Sequence, residues 1–396
     1  MRGSSHDPPP AHRGKQLAGL LLLASVLVAV MVIAPRLNPS PDRSIERPEP
    51  PPPLPGPEFV TRAGSVIDVD FAADGHGFAL WGRCTRPLDN KRCGPRLLVT
   101  EDGDHWQVRK FPLLSAIEVR SHHYRRQLVA LGGCTVAVGP VNGHRMISDD
   151  CGRHWHVVLP TVKRTLERIP KGGILERSCA EPATTPASCR DTRIVVIPPG
   201  SGRPALLANE PAVDDPAPEP VPTHDGRWWV TGRDRATGRP AVAVSEDDGR
   251  SWSVATLPFD GGPIDRVMLA SRNGHAYAVL VDRYSGGAGR LVSIFHRENG
   301  SDWERTWHAT TSAAPSSMSG VPIVAPRDVL SVVDAEDGVR YRSDDHGRTF
   351  EAAVGTSVVS PRWTRGGYVA RSAEEPGRWF RATDGVRWQP IEFPHP

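Results

Sequence analysis

Ser148-Asp149-Asp150-Cys151-Gly152-Arg153-His154-Trp155 reads Ser-x-Asp-x-Gly-x-x-aromatic, and the same pattern returns at residues 245–252 (SEDDGRSW) and 343–350 (SDDHGRTF). Two copies are one residue shorter, at 100–106 (TEDGDHW) and 382–388 (ATDGVRW), and a degenerate copy lies at 298–303 (ENGSDW). The closing aromatics stand at 106, 155, 252, 303, 350 and 388, so successive gaps are 49, 97, 51, 47 and 38. The gap of 97 is twice the others and marks one repeat that has lost the motif, around Ile194 to Asn209. Seven units of about 47 residues fill the chain that follows its N-terminal segments, which is the arithmetic of a propeller with four short strands per repeat.

The motif makes physical sense as the turn of a hairpin. An aspartate carboxylate accepts backbone N–H groups of its own turn, a Ser or Thr hydroxyl does so more weakly, and glycine supplies the positive φ. Strand-like runs with period-2 alternation flank the copies: RLLVT (96–100) and QVRKF (107–111) around the copy at 100–106, AVAVS (241–245) and SVATL (253–257) around the copy at 245–252. The expected fold is therefore all-β, a seven-bladed β-propeller of four-stranded antiparallel blades, preceded by one N-terminal transmembrane helix. The unboxed third blade is expected over residues 164–214.

That helix is read from residues 17–34 (LAGLLLLASVLVAVMVIA), 18 residues without a charge. They rise ~27 Å as a helix, close to a hydrocarbon core of ~30 Å. Arg2, Arg13 and Lys15 precede the run, which places the N-terminus in the cytoplasm and the bulk outside. The sequence thus divides into a cytoplasmic tail (1–16), a signal anchor (17–34), a stalk (35–62) and the propeller (63–396). Ten prolines in 35–57 make the stalk stiff and extended. Cleavage of the apolar run as a signal peptide, with secretion, is the alternative.

The formal charge is +3, and beyond residue 62 there are 41 Lys/Arg against 40 Asp/Glu. No concentrated basic face points to nucleic acid, which is not an expected partner. Six cysteines fall in close pairs: Cys84 and Cys93, Cys134 and Cys151, Cys179 and Cys189. Six permit fifteen pairings, and nearest-neighbour disulfides are the economical reading in an oxidising exterior. No CxxC and no zinc-spaced Cys/His cluster occurs in sequence, so neither metal nor cofactor is expected.

The repeats resemble the Asp-box (BNR) repeats of sialidase-like propellers, over roughly residues 63–393. Wall-sugar hydrolases, sorting-receptor ectodomains and photosystem II assembly factors carry the same repeat type. The resemblance implies that the box aspartates Asp102, Asp150, Asp247, Asp345 and Asp384 are structural. For a catalytic member it implies arginines gripping a carboxylate, a tyrosine activated by a glutamate, and an aspartate acid/base. Arg168 (in Arg168-Ile169-Pro170) and Tyr341 are the candidates for such a set. Arg168 follows the second box instead of preceding every box, and Tyr341 stands in a strand leading into a box, where packing is the plainer role. The densest basic stretch, 120–126, offers Arg120, His122, His123, Arg125 and Arg126 to an anionic ligand. Trp228 and Trp229 are candidate sugar-stacking residues, although strand alternation turns one of them inward. The functional expectation is a monomeric, membrane-anchored, extracytoplasmic and non-catalytic binding or assembly module for a glycan or envelope protein. A divergent sialidase-type exo-glycosidase is the alternative.

Overall fold

The computed structural model describes residues 64–84, 93–112, 128–141, 144–159, 161–179, 192–262, 264–283, 289–310, 315–335, 338–375 and 377–394. The expected tail, anchor and stalk, the basic stretch 120–126 and Cys189 lie outside these residues. Among the described residues no helix is long and apolar enough to cross a membrane.

Seven sheets form seven blades. Blade 1 holds β1 (Ser65–Phe71), β2 (Gly77–Cys84), β3 (Cys93–Thr100) and β4 (Trp106–Lys110); blade 2 holds β5 (Leu128–Gly132), β6 (Thr135–Val141), β7 (His144–Ser148) and β8 (His156–Val158). Blade 3 holds β9 (Thr165–Leu166), β10 (Ile174–Cys179), β11 (Thr192–Ile197) and β12 (Ala205–Leu207); blade 4 holds β13 (Val213–Pro218), β14 (Trp228–Asp234), β15 (Pro240–Ser245) and β16 (Ser253–Thr256). Blade 5 holds β17 (Arg266–Arg272), β18 (His275–Arg283), β19 (Gly289–Glu298) and β20 (Glu304–His308), with a short fifth strand, β21 (Ser317–Met318), on β19. Blade 6 holds β22 (Ile323–Val324), β23 (Leu330–Val333), β24 (Arg340–Ser343) and β25 (Glu351–Ala352); blade 7 holds β26 (Val358–Thr364), β27 (Gly367–Ser372), β28 (Trp379–Ala382) and β29 (Gln389–Ile391).

Each repeated turn joins the third and fourth strands of its blade, as the motif implies. Asp247 accepts from the Ser251 amide at 2.9 Å and from the Ser245 hydroxyl at 2.8 Å, while that hydroxyl accepts the Gly249 amide at 2.7 Å. Asp150 and Asp345 repeat the scheme, accepting the His154 and Thr349 amides at 2.8 and 2.9 Å. The three long copies place two successive residues in left-handed backbone, the glycine and the residue before it: Cys151, Asp248 and His346, at φ 57°, 60° and 63°. Bonds from the Ser251 hydroxyl and amide hold the Asp247 carboxyl down to about 2. At Asp345 partial burial works the other way, but bonds from Thr349 and Ser343 still bring it to about 2. A carboxylate whose folded pKa is depressed stabilises the fold above its unfolded value near 3.8 and ceases to do so as pH falls through the folded value. Melting temperature is therefore expected to fall between about pH 4 and pH 2. Asp247→Asn and Asp345→Asn should flatten that part of the pH profile; an unchanged profile in both variants would refute the assignment.

Blade 3 departs from the expected antiparallel plan, and this explains the missing motif. Its outermost strand, β9, comes first in the chain and pairs with β12 in parallel. The chain then crosses to the box-bearing face, where Ile169 donates its amide to Asp248 O at 2.7 Å, before it enters β10. The start of β10 lies beside the ends of its neighbours: the Leu175 amide bonds Pro220 O just past β13. A Cβ at Gly172 would stand 2.7 Å from Leu131 O near the end of β5. The innermost strand of this blade therefore runs opposite to β5 and β13. With the outer strand supplied from upstream, no third-to-fourth hairpin exists in blade 3, so no box is needed there. Its strands still fall within the expected 164–214.

Each of the seven junctions between blades is filled by one apolar cluster. Strand alternation sends neighbouring residues to opposite junctions. On β14, Trp228 packs toward blade 3 and Trp229 toward blade 5. Both rings are buried, Trp229 completely, which removes this pair from the sugar-stacking candidates. Of the expected disulfides, Cys134–Cys151 links the β5–β6 turn to the box of the same blade. Cys84 and Cys93 are directly paired residues of the β2–β3 ladder, and Cys179 is disulfide-bonded.

Candidate functional site

A propeller offers its one large concavity where the innermost strands converge and their loops meet. On the box-bearing face that axis is bridged by the β26–β27 hairpin of blade 7. Trp363 donates its indole N–H to Pro222 O in blade 4 at 2.8 Å, and its ring packs edge-on against Tyr368 with centroids 4.8 Å apart. Arg365 donates to Gly172 O at 3.1 Å and to Gly173 O, both at the entrance to β10 in blade 3. Blades 3 and 4 stand across the ring from blade 7, so these side chains span the axis. The hairpin is held by its own chemistry: the Thr364 hydroxyl donates to Gly367 O at 2.7 Å and accepts the Gly366 amide at 3.2 Å. The Gly366 amide also reaches Phe71 O at 3.2 Å.

Beside the bridge, Thr223, Asp225, Ser271 and Trp229 form a buried network. The Ser271 hydroxyl stands 2.9 Å from both Thr223 Oγ1 and Asp225 Oδ1, and the Trp229 indole N–H donates to Thr223 Oγ1 at 3.1 Å and Ser271 Oγ at 3.2 Å. Burial, then the Arg272 guanidinium, push the His224 pKa down against the opposing pull of Asp225. Arg272 Nε and Nη1 are buried without a hydrogen-bond partner. The remaining arginines near the axis serve the fold: Arg362 pairs with Asp68, and Arg371 donates to Ile67 O at 2.9 Å.

The sequence candidates do not assemble here. Arg168 is an exposed residue on the crossing between β9 and β10. Tyr341 lies on β24, the third strand of blade 6, packed against the cluster between blades 5 and 6. Asp102, Asp150, Asp247, Asp345 and Asp384 all sit in outer turns, each accepting backbone amides. Two shallow cavities adjoin such turns. One of about 280 Å³ is lined by Arg381, Thr383, Asp384, Arg387 and Gln389; one of about 130 Å³ includes Asp102, His105 and Arg109. Both fall below the ~300–1,000 Å³ usual for small-molecule sites.

Sequence reasoning missed the bridge, because the partners of Trp363 and Arg365 are 141 and 193 residues away. It also missed a convergence of His275, His296 and His346 where blades 5 and 6 meet. Burial, with His346 and His275 alongside, holds the His296 imidazole down to about 4.

No known family profile matches the chain, and no curated protein matches it. Solved structures do. A YCF48 protein bound to a D1 peptide is 15% identical over 86% of this chain and 84% of its own, with a TM-score of 0.32. YCF48 from Cyanidioschyzon merolae is 14% identical over 80% and 94%, with a TM-score of 0.42. A Mycobacterium tuberculosis puromycin-hydrolyzing peptidase is 14% identical over 87% of this chain and 56% of its own, with a TM-score of 0.48. The chain thus spans little more than half the length of that peptidase.

Proposed function

We propose that the propeller is a non-catalytic binding or assembly module of the Asp-box class. It is anchored outside the cytoplasmic membrane through residues 17–34, held off by the stalk, and acts as a monomer on a glycan or envelope protein. The observation that carries this reading is the bridged axis. A sialidase-type site needs arginines free to grip a carboxylate in an open pocket. Here Arg362, Arg365 and Arg371 give N–H groups to Asp68 or to backbone carbonyls, which leaves Arg272, with its unpartnered Nε and Nη1, without the companion arginines of such a set. Recognition is then left to other parts of the chain, and the basic stretch with Arg120, His122, His123, Arg125 and Arg126 is the foremost candidate.

The test sets binding against turnover. The full-length chain is presented to a glycan array, cross-linked in native membranes, and incubated with fluorogenic sialosides. Expected are glycan binding or one defined cross-linked envelope partner, either of them weakened at least tenfold by Arg125→Ala with Arg126→Ala at unchanged melting temperature. Asp247→Ala should do the reverse, lowering the melting temperature while the folded fraction keeps its affinity. Sialoside hydrolysis abolished by Arg168→Ala or Tyr341→Phe would replace this reading with the exo-glycosidase.

A further inference from the structure

His275, His296 and His346 are brought together by three separate local devices. The β17–β18 hairpin turns on Asn273 and Gly274, both left-handed at φ 52° and 87°, and sets His275 directly opposite Arg272. His296 lies on β19 and is 7% exposed. His346 takes the left-handed position ahead of Gly347 in the box of blade 6. In the other long boxes that position is spent on local bonds. Cys151 is disulfide-linked to Cys134, and Asp248 accepts the Trp228 indole N–H at 3.4 Å. In blade 6 it faces two more imidazoles.

The geometry is that of ligand atoms held close. His275 Nδ1 and His296 Nε2 are 3.0 Å apart, and one ring nitrogen from each of the three histidines lies within 4.8 Å of the others. A tetrahedral ion with bonds of ~2.0–2.1 Å separates its nitrogens by roughly 3.3 Å. The rings stack nearly parallel, with interplanar angles of 14°, 5° and 14°, so binding one ion requires χ2 rotations that turn their in-plane lone pairs toward a common point.

A carboxylate stands behind the cluster. Asp328 Oδ2 is 3.3 Å from His275 Nε2, the ring atom remote from His296, and Glu298 Oε1 is 3.9 Å from it. A carboxylate on the far nitrogen of a ligating histidine fixes its tautomer and raises its basicity. Asp328 and its neighbour Arg327 are both left-handed, at φ 61° and 63°, a conformation side chains adopt at a cost. Asp328 Oδ1 and His346 Nδ1 are buried without a hydrogen-bond partner. Buried polar atoms are ordinarily satisfied, and an ion held by His346 Nδ1 would supply one of the two missing partners.

We propose that His275, His296 and His346 bind one divalent late first-row transition ion of the zinc or copper type, with Asp328 positioning His275 and the fourth position open. An all-imidazole set suits these ions, and Asp328 and Glu298 offset the added charge. The ion site does not rest on the binding role proposed above.

The experiment uses the full-length chain without an affinity tag. The chain is stripped with a chelator, loaded with Zn2+, and dialysed against a moderate chelator that removes adventitious metal. Expected are one zinc per chain, a melting temperature raised by zinc, and zinc affinity 10–100-fold weaker in Asp328→Asn. His296→Gln and His346→Asn should lose the retained zinc; asparagine tolerates the left-handed backbone of position 346. His76→Gln, beside the Cys134–Cys151 disulfide, should retain it. Equal zinc in the wild type and in a natively folded His296→Gln/His346→Asn chain overturns the proposal, as does a wild-type chain that retains none.

Discussion

Trp379→Ala is expected to cost about 3–5 kcal/mol and to open the ring between blades 7 and 1 before anywhere else. Each of these blades is built from its own contiguous segment, so no strand is shared across the closing junction. Backbone pairing within a blade therefore does nothing to close the circle. Much of the work falls to Val66, Val69, Phe71, Val369, Trp379 and Ile391, which pack together there. Trp379 is the largest of them, 4% exposed, with its indole N–H donated to Val66 O at 3.1 Å and the Arg371 guanidinium 5.0 Å over its ring. Alanine removes the packing, leaves Val66 O without its donor, and deprives Arg371 of its platform. Urea unfolding measures the loss. Amide exchange locates it: β1 and β27 should exchange faster while β14 and β18 stay protected. Trp379→Phe keeps most of the apolar area and should recover more than half of the stability. A loss below about 1 kcal/mol, or exchange that rises evenly around the ring, would mean that closure does not depend on this residue.

The repeat could be read from sequence because its physics is local. In each of the three long boxes the serine, the aspartate, the glycine and the accepted amides lie within seven consecutive residues, as the bonds of Ser245, Asp247, Gly249 and Ser251 show. Blade number followed from spacing alone. The reversal of blade 3 could not be foreseen, because a missing box says that a hairpin is absent and not how the chain replaces it. Ile169 looked like part of an Arg-Ile-Pro signature, yet its role is to pack on Gly249 and bond Asp248 O as the chain crosses the face. The bridge and the histidine cluster were hidden for another reason. Trp363 and Arg365 sit in an ordinary strand and turn, and only ring closure brings blades 3 and 4 opposite them. His346 occupies a variable box position, and nothing in SDDHGRTF marks it as different from Cys151 or Asp248.

Arg362→Ala is expected to destabilise the protein by about 3–5 kcal/mol, because it leaves a buried carboxylate without its counter-charge. Arg362 on β26 and Asp68 on β1 face each other across the closing junction, with side chains 18% and 7% exposed. Burial works against the Arg362 charge, but Asp68 and then Asp70 more than compensate, and its pKa lies above the usual value. Asp68 also accepts the Val69 amide and, through its other oxygen, the Leu128 amide of blade 2, each at 2.9 Å. One carboxylate thus links blades 7, 1 and 2. Removing Arg362 leaves Asp68 bound to two amides but desolvated as an anion. Asp68→Asn leaves the guanidinium buried instead, and weakens acceptance from Leu128. Changing both, as Asp68→Asn with Arg362→Met, removes the two charges together and preserves volume, so most of each single loss should return. With Arg362→Met as the matching single variant, the unfolding free energies of the wild type, the two singles and the double close a double-mutant cycle, and a coupling of about 2 kcal/mol or more is expected. Single losses that simply add would show that the two charges stand side by side without supporting each other, and that the ring is closed by its apolar cluster alone.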